Sequence, residues 1–172
     1  DFSVFTDTVN FHITDFEDYK KIISLYEWAK SAKPEDPFYM FNVTMQNHGS
    51  YDGSTFETGD DVQLKGRFQF YYETEQFLNM MKMSDEALKY LIQYFVQTDD
   101  PTVIVFFGDH QPDLEEDFYN DLLGEEIKDL EGESLERLYK VHFLIWANYD
   151  IPEQTVERTS NHYLSTYLAE IS

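Results

Sequence analysis

The run Val103-Ile104-Val105-Phe106-Phe107 stops at Gly108 and is followed at once by Asp109 and His110. No other stretch of the chain limits its fold as tightly. Five apolar residues in a row, mostly β-branched or aromatic, read as a buried strand. The run is continuous rather than alternating, the pattern of a strand covered by helices on both faces. Gly108 ends the strand and permits a tight turn. Asp109 and His110 then stand just past the strand's carboxyl end, the edge where open α/β sheets bind ligands. A carboxylate oxygen beside a neutral imidazole nitrogen is also a ligand pair that divalent metals accept.

The rest of the chain supplies partners for such a strand. Phe16, Tyr19, Ile22, Ile23, Tyr26 and Ala29 recur at helical spacing and predict a helix over Asp15–Ser31, broken by Lys33-Pro34-Glu35-Asp36-Pro37. Phe38–Thr44 reads as a strand and Met45–Gly59 as a loop. A long helix is predicted over Arg67–Gln97, with Tyr71, Leu78, Met81, Leu88, Ile92 and Phe95 as its apolar stripe. Asp113 is placed to cap a short acidic helix ending near Leu123. Lys140–Ala147 reads as another strand, and Thr159 or Ser160 as the cap of a last helix through Ile171. This alternation of helix and strand predicts an α/β fold with a mostly parallel sheet flanked by helices, in one domain over residues 1–172.

Composition narrows the function. Thirty-four acidic residues against 12 Lys and Arg give a formal charge of −22, which argues against nucleic acid as a partner, because phosphate backbones attract basic surfaces. It equally opposes docking on anionic lipid through a basic patch. The chain has no cysteine, so disulfides, thiol nucleophiles and thiolate ligands are out. Its longest apolar runs, Val103–Phe107 and Phe143–Ala147, are far too short to span a bilayer.

If Phe38–Thr44 and Thr102–Phe107 are parallel neighbours, the loops after them leave the sheet on one side. His48, from Met45-Gln46-Asn47-His48-Gly49, then converges with Asp109 and His110 on one crevice. Each has a plainer reading. His48 and His110 suit exposed hydrogen-bonding positions, and Asp109 suits a turn cap. His12, His142 and His162 lack a comparable setting, and Asp85 falls on the apolar stripe without a catalytic assignment. No Gly-rich phosphate loop, nucleophile elbow or H-E-x-x-H pair is present.

The segments Phe38–Gly49, Val103–His110 and Phe143-Leu144-Ile145-Trp146-Ala147-Asn148 resemble lipoteichoic acid synthase and its sulfatase-like relatives in the alkaline phosphatase superfamily. Thr159-Ser160-Asn161 leading into a helix fits the same pattern, and the segments keep the family's order. The resemblance implies the carboxyl-terminal part of a sulfatase-like catalytic domain at the extracellular face of a bacterial cell membrane. It implies a phosphoglycerol transferase in which a metal-bound threonine attacks a lipid-linked phosphodiester such as phosphatidylglycerol. Asp109 and His110 would be ligands of one divalent metal, Mn²⁺ first, with Mg²⁺, Ca²⁺ or Zn²⁺ as alternatives. His48 would bind substrate at its phosphoryl or glycerol group. The family's nucleophile, a further acidic ligand and its tryptophan and arginine contacts lie upstream of the matching segments. Nothing around Thr6 or Thr8 resembles the nucleophile motif. The resemblance therefore implies a missing amino-terminal half of the domain as partner, and a fragment that is inactive alone. A sulfatase or phosphodiesterase of the same superfamily, and a non-catalytic interaction module, are the alternatives.

Overall fold

Two helices set the frame. In the computed structural model, which describes residues 7–53, 59 and 61–171, helix α1 spans Asp15–Ala32 and helix α2 spans Tyr72–Val96. Thr14 caps α1: its hydroxyl accepts from the Glu17 N–H at 3.3 Å, and Asp15, Glu17 and Asp18 sit at the positive end of the helix dipole. Pro34 prevents continuation beyond Lys33. Helix α2 has no cap from its own flank. Its cap comes from Glu115, whose carboxylate accepts from the N–H groups of Glu73 at 2.8 Å and Thr74 at 3.1 Å and from the Thr74 hydroxyl at 2.7 Å. A negative group on two orphan amides of the first turn satisfies both hydrogen bonding and dipole.

The core lies between these helices. Tyr19, Ile23 and Tyr26 of α1 pack on Ala87, Leu88, Leu91 and Phe95 of α2. Tyr26 meets the rings of Phe95 and Phe38 edge-on, at centroid distances of 5.1 and 5.8 Å.

Strands β1 (Thr8–Val9) and β2 (His12–Ile13) form a small antiparallel hairpin. Its two turn residues, Asn10 and Phe11, both have left-handed φ, 46° and 63°. Tight two-residue hairpin turns demand that conformation. Strands β3 (Val103–Phe107) and β4 (Phe143–Ala147) pair antiparallel, from Val103 opposite Ala147 to Phe107 opposite Phe143. The cross-strand partners Ile104 and Trp146 pack on the helical core. Asn148, directly after β4, locks this corner. Its amide donates to the carbonyls of Phe95 at 3.1 Å, Thr98 at 3.2 Å and Asp100 at 3.0 Å, and its Oδ1 accepts from Thr102 N–H at 2.8 Å. Between the strands lie α3 (Glu116–Leu123) and α4 (Gly132–Glu136), and α5 (Leu164–Ile171) closes the chain. Among the described residues no helix is long and apolar enough to cross a membrane.

The fold is mixed α/β as expected, but the described ladders are antiparallel. A parallel return needs a crossover helix lying along the sheet. Helix α3 docks elsewhere: Tyr71 donates to Asp121 at 2.6 Å, Arg67 donates to the Asp121 carbonyl at 2.7 Å, and Phe118 packs on Phe68 and Tyr71. The predicted strand Phe38–Thr44 has no regular secondary structure and joins no described ladder. It packs through Phe38 and leaves Tyr39, Phe41, Val43 and Met45 facing outward in a row.

Helix boundaries and faces shift too. The predicted Arg67–Gln97 helix is a 3₁₀ turn at Gly66–Phe68 followed by α2. The short acidic helix starts at Glu116 without a side-chain cap, so Asp113 does not cap it. Its flanking carboxylate, Glu115, is recruited to α2 instead. The last helix begins at Leu164, after a 3₁₀ turn at Asn161–Tyr163 preceded by Ser160. The buried arc of α2 is rotated from the predicted stripe: Met80 is 0% exposed and Met81 44%. Further sides of helix α2 are covered by the His48 segment at Ser84, by Val62 at Asn79 and by Glu115 at Thr74, so these polar residues are buried with the apolar ones. Asp85 is exposed. Gly108 has no left-handed φ; a Cβ there would stand 3.2 Å from the Val141 Cβ, so glycine permits close packing rather than a turn. Thr6 lies outside the described residues.

Leu91→Ala should cost about 2–5 kcal/mol by chemical denaturation, as buried leucine truncations do. Met81→Ala should stay within about 0.5 kcal/mol. Equal costs would restore the stripe read from the sequence.

Candidate functional site

The segment carrying His48 runs along α2 toward the amino end of that helix. Gln46, 1% exposed, starts it. Its Oε1 accepts from the Asp15 N–H at 3.0 Å, and its Nε2 donates to the Met80 carbonyl at 3.3 Å and the Ser84 hydroxyl at 3.0 Å. Asn47 Nδ2 donates to the same hydroxyl at 2.8 Å, and Ser84 donates in turn to Asp15 Oδ2 at 2.5 Å. A hydroxyl offers one donor and two acceptor positions, and Ser84 uses all three. Farther along, Tyr51 donates to the Asn47 carbonyl at 2.6 Å and packs edge-on against Phe77. Gly53, at φ 69°, is held so close to Tyr72 that a side chain there would run into the tyrosine ring.

The other side of this segment is held by the hairpin. Asn10 Nδ2 donates to the carbonyls of His48 at 3.2 Å and Ser50 at 3.0 Å. His12 meets His48 ring to ring, centroids 5.7 Å apart and planes at 62°. His48 is exposed, and its Nδ1 lies 3.1 Å from the Gly49 carbonyl. That carbonyl can only accept, so Nδ1 donates to it, which leaves Nε2 for a further partner.

Asp109 and His110 follow β3. Their side chains are 82% and 71% exposed, and His110 Nε2 lies 3.5 Å from Asp109 Oδ2. Asp109 Oδ1 accepts from the His110 N–H at 2.9 Å, which fixes the carboxylate. His110 Nδ1 lies 2.7 Å from the Gln111 carbonyl, so it too carries the proton and leaves Nε2 as the available donor atom. Gln111 is itself tied to the Lys140 carbonyl ahead of β4. One oxygen and one nitrogen with free lone pairs, 3.5 Å apart, suit a shared divalent cation at ~2.1 Å from each. Among the described residues no third His, Cys, Asp or Glu stands with them.

The two loops approach each other at the amino end of α2. Burial pushes the Tyr51 hydroxyl up to about 12, with Tyr119 and Asp113 adding negative potential. Burial also raises Glu73, reinforced by Glu115, Asp52 and Asp113. Residues just after His48 thus face residues just after His110. No hydrogen bond, ion pair or ring contact joins His48 itself to Asp109 or His110 among the described residues. Sequence reasoning left out His12, Asn10, Ser84 and Glu115. Spacing offers no signal for them, because their partners lie 36 to 69 positions away, as with His48 beside His12 and Ser84 beside Asp15.

Two comparisons bear on this geometry. The sulfatase family model matches residues 9–170. A protein of Rhizobium meliloti (strain 1021), named for cyclic beta-1,2-glucan modification, is 26% identical over 140 residues, 76% of this chain. The chain spans 21% of that relative's length. No solved structure gives a significant match.

Ser84→Ala leaves a buried carboxylate and two amides short of a partner and should cost about 1–3 kcal/mol in equilibrium unfolding. Asp15 is raised above 3.8, chiefly by burial and against the opposing Ser84 hydrogen bond. Its folded form holds the proton more tightly than the unfolded chain. Its contribution to stability is full below pH 3.8 and lost as the pH climbs through the higher folded value. Asp15→Asn should flatten the stability profile above pH 3.8, and an unchanged slope would overturn the assignment.

Proposed function

Because the chain belongs to the sulfatase family, an enzymatic family, we propose that it is part of a metal-dependent phosphoglycerol transferase. Its substrate is a phosphatidylglycerol-type, lipid-linked phosphodiester, used in cell-envelope polymer synthesis at the extracellular face of the membrane. The observation that carries this reading is the Asp109–His110 corner, with free donor atoms 3.5 Å apart and their partners already fixed. In this reading both residues hold one divalent cation, Mn²⁺ first, as the resemblance to the lipoteichoic acid synthase group implies. Bound there, the cation supplies Lewis-acid stabilisation of charge on the phosphoryl oxygens.

The chain's own residues do the rest. Asp109 and His110 orient. His48 binds the phosphoryl or glycerol group through Nε2 and can hand a proton to a leaving oxygen. The attacking threonine comes from the amino-terminal half of the domain. The relative's name supports a glycan as acceptor of the transferred group. A hydrolase acting on sulfate or phosphate esters is the second reading, favoured by the description of the matching family itself.

In the intact protein, Asp109→Ala should lower diacylglycerol release from phosphatidylglycerol with Mn²⁺ by about a hundredfold or more, since even partners of metal ligands cost 10–100-fold. Retained activity and metal content would sink the ligand assignment. Sulfate release without phosphodiester turnover would select the hydrolase. The 172-residue chain should bind Mn²⁺ only weakly in calorimetric titration, because two ligands do not close a site. Sub-micromolar affinity would contradict the half-shell.

A further inference from the structure

We propose that His12 is a second oxyanion-binding imidazole, paired with His48 in a cradle for the phosphoryl group of the substrate. This rests on the reading of His48 as a phosphoryl contact and extends it to a residue from another element.

Four observations carry the inference. The His12 ring stands edge-on to His48 at 5.7 Å, so an oxygen held by one imidazole is within reach of the other. The pair is built, not accidental, because Asn10 ties the hairpin to the carbonyls on either side of Gly49. Nothing among the described residues hydrogen-bonds the ring nitrogens of His12. Finally, the hairpin turn holds Phe11 in a left-handed conformation at φ 63° while leaving it 84% exposed. A bulky residue there is strained, and burial of its ring does not offset the strain. What the turn does accomplish is to bring β2, and with it His12, against the His48 segment.

The chemistry selects an anion. Two nitrogen donors fall short of a metal shell, and no third ligand stands with them among the described residues. An oxyanion can accept one N–H from each ring, so the two imidazoles share a single negative charge. With 34 acidic residues against 12 basic ones, a phosphoryl group meets an adverse field over most of this chain. Paired imidazoles give it local donors.

The test uses inorganic phosphate and glycerol 3-phosphate as probes, with histidine ring signals followed by NMR. The ring signals of His12 and His48 should move together along one binding curve. His12→Phe, which keeps a ring against His48 but removes both nitrogens, should weaken binding about tenfold, as loss of one charge-assisted hydrogen bond does. His12→Gln, which keeps a donor, should recover part of it. Unfolding midpoints of both variants identify any loss due to misfolding. Movement of His48 alone, or unchanged affinity in folded His12→Phe, overturns this inference and leaves the His48 assignment standing. If neither ring responds, both fall.

Discussion

The Ser84 hydroxyl joins three parts of the chain at one buried point. It donates to Asp15 at the start of α1, sits on the middle of α2, and accepts from Gln46 and Asn47 just before His48. Such a junction is strict because it is buried. Polar groups that have lost water must find one another, and few arrangements satisfy them all. Burial keeps the Asp15 carboxyl costly to ionise, against the opposing hydrogen bonds of Ser84 and Thr44. Apolar packing of Tyr19 and Ile23 on Leu88 and Leu91 supplies the attraction between the helices. It is non-directional, so the register of the His48 segment on α2 falls to this polar junction.

Glu115 does the same work at the other end. It lies five residues beyond His110 and caps α2 from outside, so the path of the chain after the Asp109–His110 corner is pinned to the first turn of that helix. Helix α2 is thus a common support: Ser84, Met80, Phe77 and Tyr72 receive one loop, and Glu73 and Thr74 receive the other. Loops anchored on a regular element are held more precisely than loops left to themselves. The acidic residues gathered there, Asp52, Glu73, Asp113 and Glu115, repel one another enough to raise Glu73 further after burial has done so.

Much of this was legible in sequence. The Val103–Phe107 strand, the α1 helix and the Asp109–His110 pair follow from local runs and caps, which act over a few residues, though the strand is half-exposed rather than covered on both faces. The parallel sheet was not, because strand direction depends on where a connection docks. Here α3 is captured by Arg67, Tyr71 and Phe68 rather than by the sheet. The α2 stripe was misplaced by about one residue because periodicity records apolar side chains alone, whereas four of the nine buried residues of this helix are polar, Ser84 held by the His48 segment, Asn79 by Val62 and Thr74 by Glu115.

By itself, then, the sequence determined the elements and the donor types: a strand ending in a carboxylate and an imidazole, a second histidine in a glycine-flanked loop, and no thiol chemistry. These are properties of neighbours along the chain, set by propensity and side-chain chemistry. Only the tertiary structure decided that Ser84, silent in any local pattern, holds the His48 segment. Only it decided that Glu115 serves α2 rather than α3, and that His12 lies against His48. Contacts of this kind join residues tens of positions apart. They form when buried polar groups and rings must be matched once the chain has closed on itself.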